Sequence, residues 1–186
     1  KRIKELCVDN SLALHLDGAR LFNALVESDE NAKDFGQTFD SISICLSKGL
    51  GAPVGSLLIG NKAFIKQARR IRKSFGGGMR QAGFLAAAGL FALEHNVERL
   101  KDDHQNAKRL ETVLNQQEWV RRVLPVETNI VVFELVDSME PNDFISKMDQ
   151  QGIRLVSFGG QLIRMVTHLD IKEEMMQYSI EQIDKF

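Results

Sequence analysis

SISICLSKGLGAPVGSLL, residues Ser41 to Leu58, decides how the chain is read. Ile42, Ile44 and Leu46 alternate with Ser41, Ser43 and Cys45 at the two-residue period of a strand with one apolar face. The alternation ends just before Lys48. A lysine amine is strongly hydrated, so placing it between a strand and a glycine loop costs free energy unless something there uses it. Gly49 and Gly51 permit unusual dihedrals and let a planar ligand approach the backbone. A further apolar run, Val54 to Ile59, leads into NKAFIKQARRIRK, which has the cap and period of a basic helix.

Upstream, Leu12, Leu14 and Leu16 in SLALHLD fit a short strand over Leu12 to Leu16, which Asp17 and Gly18 end before a helix in ARLFNALVES. Strand and helix therefore alternate, as in an α/β sheet layered by helices. Gly76, Gly77 and Gly78 interrupt the chain before MRQAGFLAAAGLFALEH, a helix rich enough in small residues to pack closely on a neighbour. Val97 to Gln116 continues as a charged amphipathic helix, and then the texture changes. TNIVVFEL and GIRLVSF read as strands around a helix near Pro141 to Gln151, QLIRMVTHL as another strand, and a final helix starts from Ile171. This predicts one α/β domain over residues 1–100 and a smaller α+β domain over 101–186, with no internal repeat.

The sequence has 186 residues, of which 44% are hydrophobic and 26% charged, as in an ordinary globular protein. Twenty-four basic residues against 25 acidic ones give a formal charge of -1, so no global field draws nucleic acid or anionic membrane. The expected partners are small molecules or other protein chains. No apolar run approaches the roughly 18 residues of a spanning helix, and KRIKELCVDN lacks the apolar core of a signal peptide. These features predict a cytoplasmic protein in which Cys7 and Cys45 are buried reduced thiols. The opening at Lys1, without a methionine, suggests a boundary inside a larger domain.

Asp17 and Lys48 are both placed at carboxyl ends of strands, where open α/β sheets bind ligands. A plain salt bridge between them explains the pair equally well. Arg20 follows Asp17 by three residues, which on a helical turn puts both side chains on one face. The run Gly76 to Gly78 leads to a helix start carrying Arg80, a setting for phosphate, although the glycines also suit a plain linker. P-loop spacing is absent. An amine nucleophile, a carboxylate to pair with a protonated ring nitrogen and a phosphate site together describe pyridoxal 5'-phosphate (PLP) chemistry.

HLDGARLFNA at 15–24, LSKGLGAPVGSLL at 46–58, GGGMRQAG at 76–83 and IRMVTHLD at 163–170 resemble the low-specificity L-threonine aldolases of PLP fold type I. The resemblance implies an aspartate aminotransferase-like, mostly parallel sheet, here the later part of the large domain plus the small C-terminal domain. It implies Lys48 as the Schiff-base lysine, Asp17 as the partner of the pyridine nitrogen and Arg20 as a neighbour of the ring that helps hold the substrate carboxylate. Arg80 resembles the arginine that reaches a cofactor phosphate across a dimer interface, and Arg164 the clamp of the substrate α-carboxylate. Lys73 lines that interface or belongs to a solvated basic helix. His168 lies in the matching motif but is read as structural, and His15 as a satisfied core histidine.

The implied reaction cleaves L-threonine or L-allo-threonine to glycine and acetaldehyde through a Lys48 Schiff base and a quinonoid, in a homodimer or homotetramer with shared sites. Other fold type I enzymes, a β-eliminating lyase or an aminotransferase, share the lysine and aspartate. A non-catalytic phosphate-binding module is the alternative of another class. Family members are expected to be nearly twice as long, with the general base, the histidine stacked on the ring and a Gly-Thr phosphate loop in the part upstream of Lys1. On that reading the 186 residues alone are a fragment with part of a site.

Overall fold

In the computed structural model, which describes residues 2–28 and 30–186, the chain divides between Glu98 and Arg99 into two units. The first contains α1 (Arg2–Asp9), β1 (His15–Gly18), α2 (Leu21–Glu27), α3 (Ala32–Thr38), β2 (Ser41–Cys45), β3 (Ser56–Gly60), α4 (Lys62–Ser74) and α5 (Gly83–His95). Its sheet has the order β1-β2-β3, with β1 parallel and β3 antiparallel to β2. Ile42, Ile44 and Leu46 are buried as the alternation requires, whereas Ser41, Ser43 and Cys45 are only half-buried. The small-residue helix packs closely as expected: a Cβ on Gly89 would stand 3.0 Å from Leu46 Cδ1, and Ala92 is buried.

The first strand lies three residues later than the leucine alternation suggests. Asp40 explains the shift. Its carboxylate accepts the Leu14 N–H at 2.7 Å and its own N–H donates to the Leu14 carbonyl at 2.9 Å, so Leu14 is spent before the β2 ladder begins at His15↔Ser41. Asp17 and Gly18 are therefore inside the strand rather than its terminators. His15 shares the exposed face with Asp17, so it is not a core residue, although its ring is satisfied by Ser41 Oγ at 2.8 Å. Helices α1 and α3 had no counterpart in the sequence reading; α3 starts where Asn31 caps it by accepting the Lys33 N–H at 2.7 Å.

The second unit contains α6 (Leu100–Leu114), β4 (Val120–Val123), β5 (Ile130–Leu135), α7 (Pro141–Gln150), β6 (Val156–Gly159), β7 (Leu162–Val166) and α8 (Glu173–Lys185). Its sheet runs β4-β5-β7-β6, antiparallel throughout. Val131, Phe133 and Leu135 from β5 and Ile163 and Met165 from β7 join Leu110, Leu114, Phe144, Met176 and Ile183 of the helices in one core. The residues between them, including Val132, Arg164 and Val166, are only half-buried because they occupy the other face of the sheet. Asn129 and Thr167 join the strands by a buried bond of 2.8 Å from Asn129 Nδ2 to the Thr167 carbonyl, and Thr167 Oγ1 donates to the Asp103 carbonyl at 2.6 Å.

Candidate active site

Parallel pairing of β1 with β2 places Asp17 opposite Ser43, so both chains leave the sheet at the same end. Gly18 is required for that approach, since a Cβ there would stand 2.9 Å from the Ser43 carbonyl oxygen. Beyond β2 the chain folds into a short pinned loop. Leu46 donates its N–H to Gly55 O at 2.9 Å and accepts the Ala52 N–H at 2.9 Å, while Gly51 N–H returns to Lys48 O at 2.9 Å. Gly51 has φ +72°, a left-handed conformation in which a Cβ would be strained. Leu50 and Ala52 are buried, and Asn96 Nδ2 holds the Leu50 carbonyl at 2.8 Å. Lys48 is thus an exposed amine on a loop fixed on both sides.

The salt-bridge explanation for Asp17 and Lys48 fails. The Asp17 carboxylate accepts the Ala19 N–H at 3.2 Å, and the Lys48 amine has no hydrogen bond or ion pair among the described residues. Both charges are open to a ligand.

Arg20 is half-buried but does not share a helical face with Asp17. It occupies the N-cap of α2 while Asp17 is held in β1, so the spacing of three spans a strand end and a turn. Arg80 also departs from expectation: α5 starts at Gly83, and Arg80 lies exposed in the bend before it. Gly76 (φ +84°) and Gly77 terminate α4 instead, with Gly76 N–H on Lys73 O at 3.1 Å and Gly77 N–H on Arg72 O at 2.8 Å, the paired bonds of a Schellman stop. That helix stop accounts for the glycines without a phosphate, and it leaves Lys73 exposed in the last turn of α4.

In the second unit Arg164 stands on β7 between Val132 of β5 and Val156 of β6. Its Nε is buried without a hydrogen-bond partner among the described residues. An orphaned guanidinium donor is costly unless a ligand completes it. His168 lies past the end of β7, exposed, with Nδ1 accepting the Asp170 N–H at 3.3 Å; the strand stops at Val166 because Thr167 turns its N–H to Asn129 O at 3.0 Å. Among the described residues no three His, Cys, Asp or Glu side chains gather as a metal ion would require.

The family model described as beta-eliminating lyase matches residues 1–138. The chain belongs to the beta-eliminating lyase family. A low specificity L-threonine aldolase of Escherichia coli (strain K12) is 44% identical over 176 residues, covering 95% of this chain and 51% of that protein. Low-specificity L-threonine aldolase 1 of Arabidopsis thaliana is 38% identical over 183 residues, 97% of this chain and 51% of its own. The solved Leishmania major threonine aldolase superposes with a TM-score of 0.77 at 21% identity, covering 98% of this chain and 54% of that one. The fold is accordingly that of PLP fold type I. This member of the beta-eliminating lyase family spans about half the length of the curated relatives it matches.

Two residues, one in each unit, support candidate residues without having been singled out by the sequence pattern. Asn96 falls between the two stretches read as helices, yet its side chain holds the Leu50 carbonyl of the loop that carries Lys48. Phe158 looked like one more strand apolar, yet its ring lies against Arg164, with Cζ 5.6 Å from the ring centroid. The pair Gly159 and Gly160 behind it, both with positive φ, was the available signal of an irregular strand.

Proposed function

We propose that this chain is the lysine-bearing portion of a PLP-dependent carbon–carbon lyase that cleaves L-threonine and L-allo-threonine to glycine and acetaldehyde. The observation that carries the proposal is the unpaired Lys48 amine on its pinned loop, at the same sheet end as the open Asp17 carboxylate. These residues fit PLP: the amine suits the aldehyde, and the carboxylate suits a protonated ring nitrogen. When bound, PLP withdraws electrons from the substrate Cα.

The chain's own residues then have separable tasks. Asp17 would hold a proton on the ring nitrogen of bound PLP by accepting its N–H. Arg20 would help hold the cofactor and the substrate carboxylate. Arg164 offers its buried Nε to the substrate α-carboxylate, a planar fork that fixes the orientation of the amino acid and so of the bond to be broken. No residue of this chain is assigned as the general base or to a phosphate loop.

Arg80 is assigned to a cofactor phosphate in a second copy of the chain, in a homodimer or homotetramer. Phe75, Met79 and Phe84 around it are 88%, 64% and 87% exposed, which supports a covering surface. We place the protein in the cytoplasm, in keeping with free Cys7 and Cys45; no described helix is long and apolar enough to cross a membrane.

The test is product analysis with the full-length, PLP-loaded protein. Acetaldehyde and glycine from L-threonine support the aldolase. The beta-eliminating lyase family match favours one second reading, which ammonia and pyruvate from a β-substituted alanine would establish in its place.

A further inference from the structure

Arg164 has one side-chain partner among the described residues, and it is a ring. The β6–β7 ladder pairs Val156 with Arg164, Ser157 with Ile163 and then Gly159 with Leu162, leaving Phe158 as the extra residue of a bulge. Gly159 and Gly160, at φ +99° and +53°, provide the backbone turn that the bulge needs. The hairpin is anchored beyond it. Gln161 Nε2 donates to Val136 O at 3.0 Å and Met139 O at 2.9 Å, and Gln161 O accepts the Leu135 N–H at 3.0 Å. Phe158 is therefore held in place although 53% of its surface is exposed.

Among the described residues no carboxylate pairs with the guanidinium. Glu134, on the neighbouring strand, is taken by Arg122 at 2.6 Å and Arg121 at 3.3 Å. A cation facing an aromatic ring within about 6 Å is attracted by the ring quadrupole without using its N–H groups. We propose that Phe158 is a positioning residue: its ring holds the Arg164 guanidinium so that the donor edge stays free for the α-carboxylate of the amino-acid substrate. This rests on Arg164 being the carboxylate site. A hydrogen-bonding partner would occupy donors that the substrate needs, whereas the ring occupies none.

The test uses the full-length protein with Phe158→Leu, Phe158→Tyr and Arg164→Lys. Phe158→Leu is expected to raise KM for L-threonine and the dissociation constant of glycine by about two- to five-fold, with the effect in KM rather than kcat. Phe158→Tyr, which keeps a ring, should restore both. In the cofactor-free protein, phenylglyoxal should modify Arg164 several-fold faster in Phe158→Leu than in wild type, as read by peptide mass mapping. Arg164→Lys separates the two ideas. If it raises KM strongly while Phe158→Leu changes neither KM nor the modification rate, the positioning role is overturned and the carboxylate site stands. If Arg164→Lys leaves KM unchanged, the carboxylate site falls, and the positioning role falls with it.

Discussion

Asp17 lies opposite Ser43 in the parallel ladder, and that register puts its carboxylate at the sheet end from which β2 runs into the Lys48 loop. The carboxylate's only hydrogen bond among the described residues is a 3.2 Å contact from Ala19 N–H. Asparagine is isosteric and keeps that acceptor but cannot stabilise a ring N–H cation. Asp17→Asn in the full-length enzyme should therefore lower kcat by on the order of 10²-fold while PLP still binds, as expected when a preorganised charge is removed from a reacting system. Steady-state kinetics beside cofactor absorbance check this, and an unchanged kcat would remove Asp17 from the ring nitrogen.

Lys48 is exposed and unpaired, so replacing it should not disturb packing. Lys48→Ala should change folding stability by no more than about 0.5 kcal/mol, the usual range for surface substitutions. It should also abolish the covalent attachment of PLP by borohydride. Retention of label on another lysine after reduction, located by peptide mapping, would reassign the anchor.

Glycines test the local geometry independently of catalysis. At Gly18 a new Cβ meets the Ser43 carbonyl oxygen at 2.9 Å, and backbone cannot yield as a side-chain tip would. Gly18→Ala should destabilise the first unit by about 1–3 kcal/mol through overpacking. Gly76→Ala has open space but a φ of +84°, so its cost should be nearer about 1 kcal/mol, from the left-handed backbone alone. Denaturant titration that reversed this order would contradict the register of β1 on β2.

Much of this arrangement was legible from residue pattern. The alternation from Ser41 to Leu46 marked a strand and its buried face because a single period of two was undisturbed by turn residues. The capped basic helix was equally plain, since Asn61 accepts the Phe64 N–H at 2.9 Å where the pattern began. What escaped depends on partners distant in sequence. Asp40 sets where β1 starts, 26 residues from Leu14, and no local period announces it. The glycine run at 76–78 had two meanings in one dimension, and only the bonds to Arg72 and Lys73 show that it stops a helix. Arg20 lost its helical relationship to Asp17 because tertiary pairing claimed Asp17 for a strand.

Acid should loosen the two units through different carboxylates. The Asp40 carboxyl is held below its ordinary value chiefly by the Leu14 N–H, then by Lys4, whose Nζ donates to both oxygens at 2.8 and 2.9 Å. In the second unit Glu173 is lowered by its two 2.7 Å bonds from Arg109, which join α8 to α6. A lowered folded-state pKa means that the folded chain favours the ionised form. The stabilisation is therefore complete above the ordinary carboxylate range, near pH 4, and is lost as pH falls through the lowered values. Asp40→Asn should flatten the acid dependence of the first unit only, and Glu173→Gln that of the second. Trp119 is the only tryptophan and packs beside Phe144 and Phe133, so its fluorescence follows the second unit. An acid titration of that fluorescence should respond to Glu173→Gln and not to Asp40→Asn, whereas amide exchange at Leu14 should respond to Asp40→Asn alone. A fluorescence transition shifted by Asp40→Asn would show that the two units do not lose stability separately.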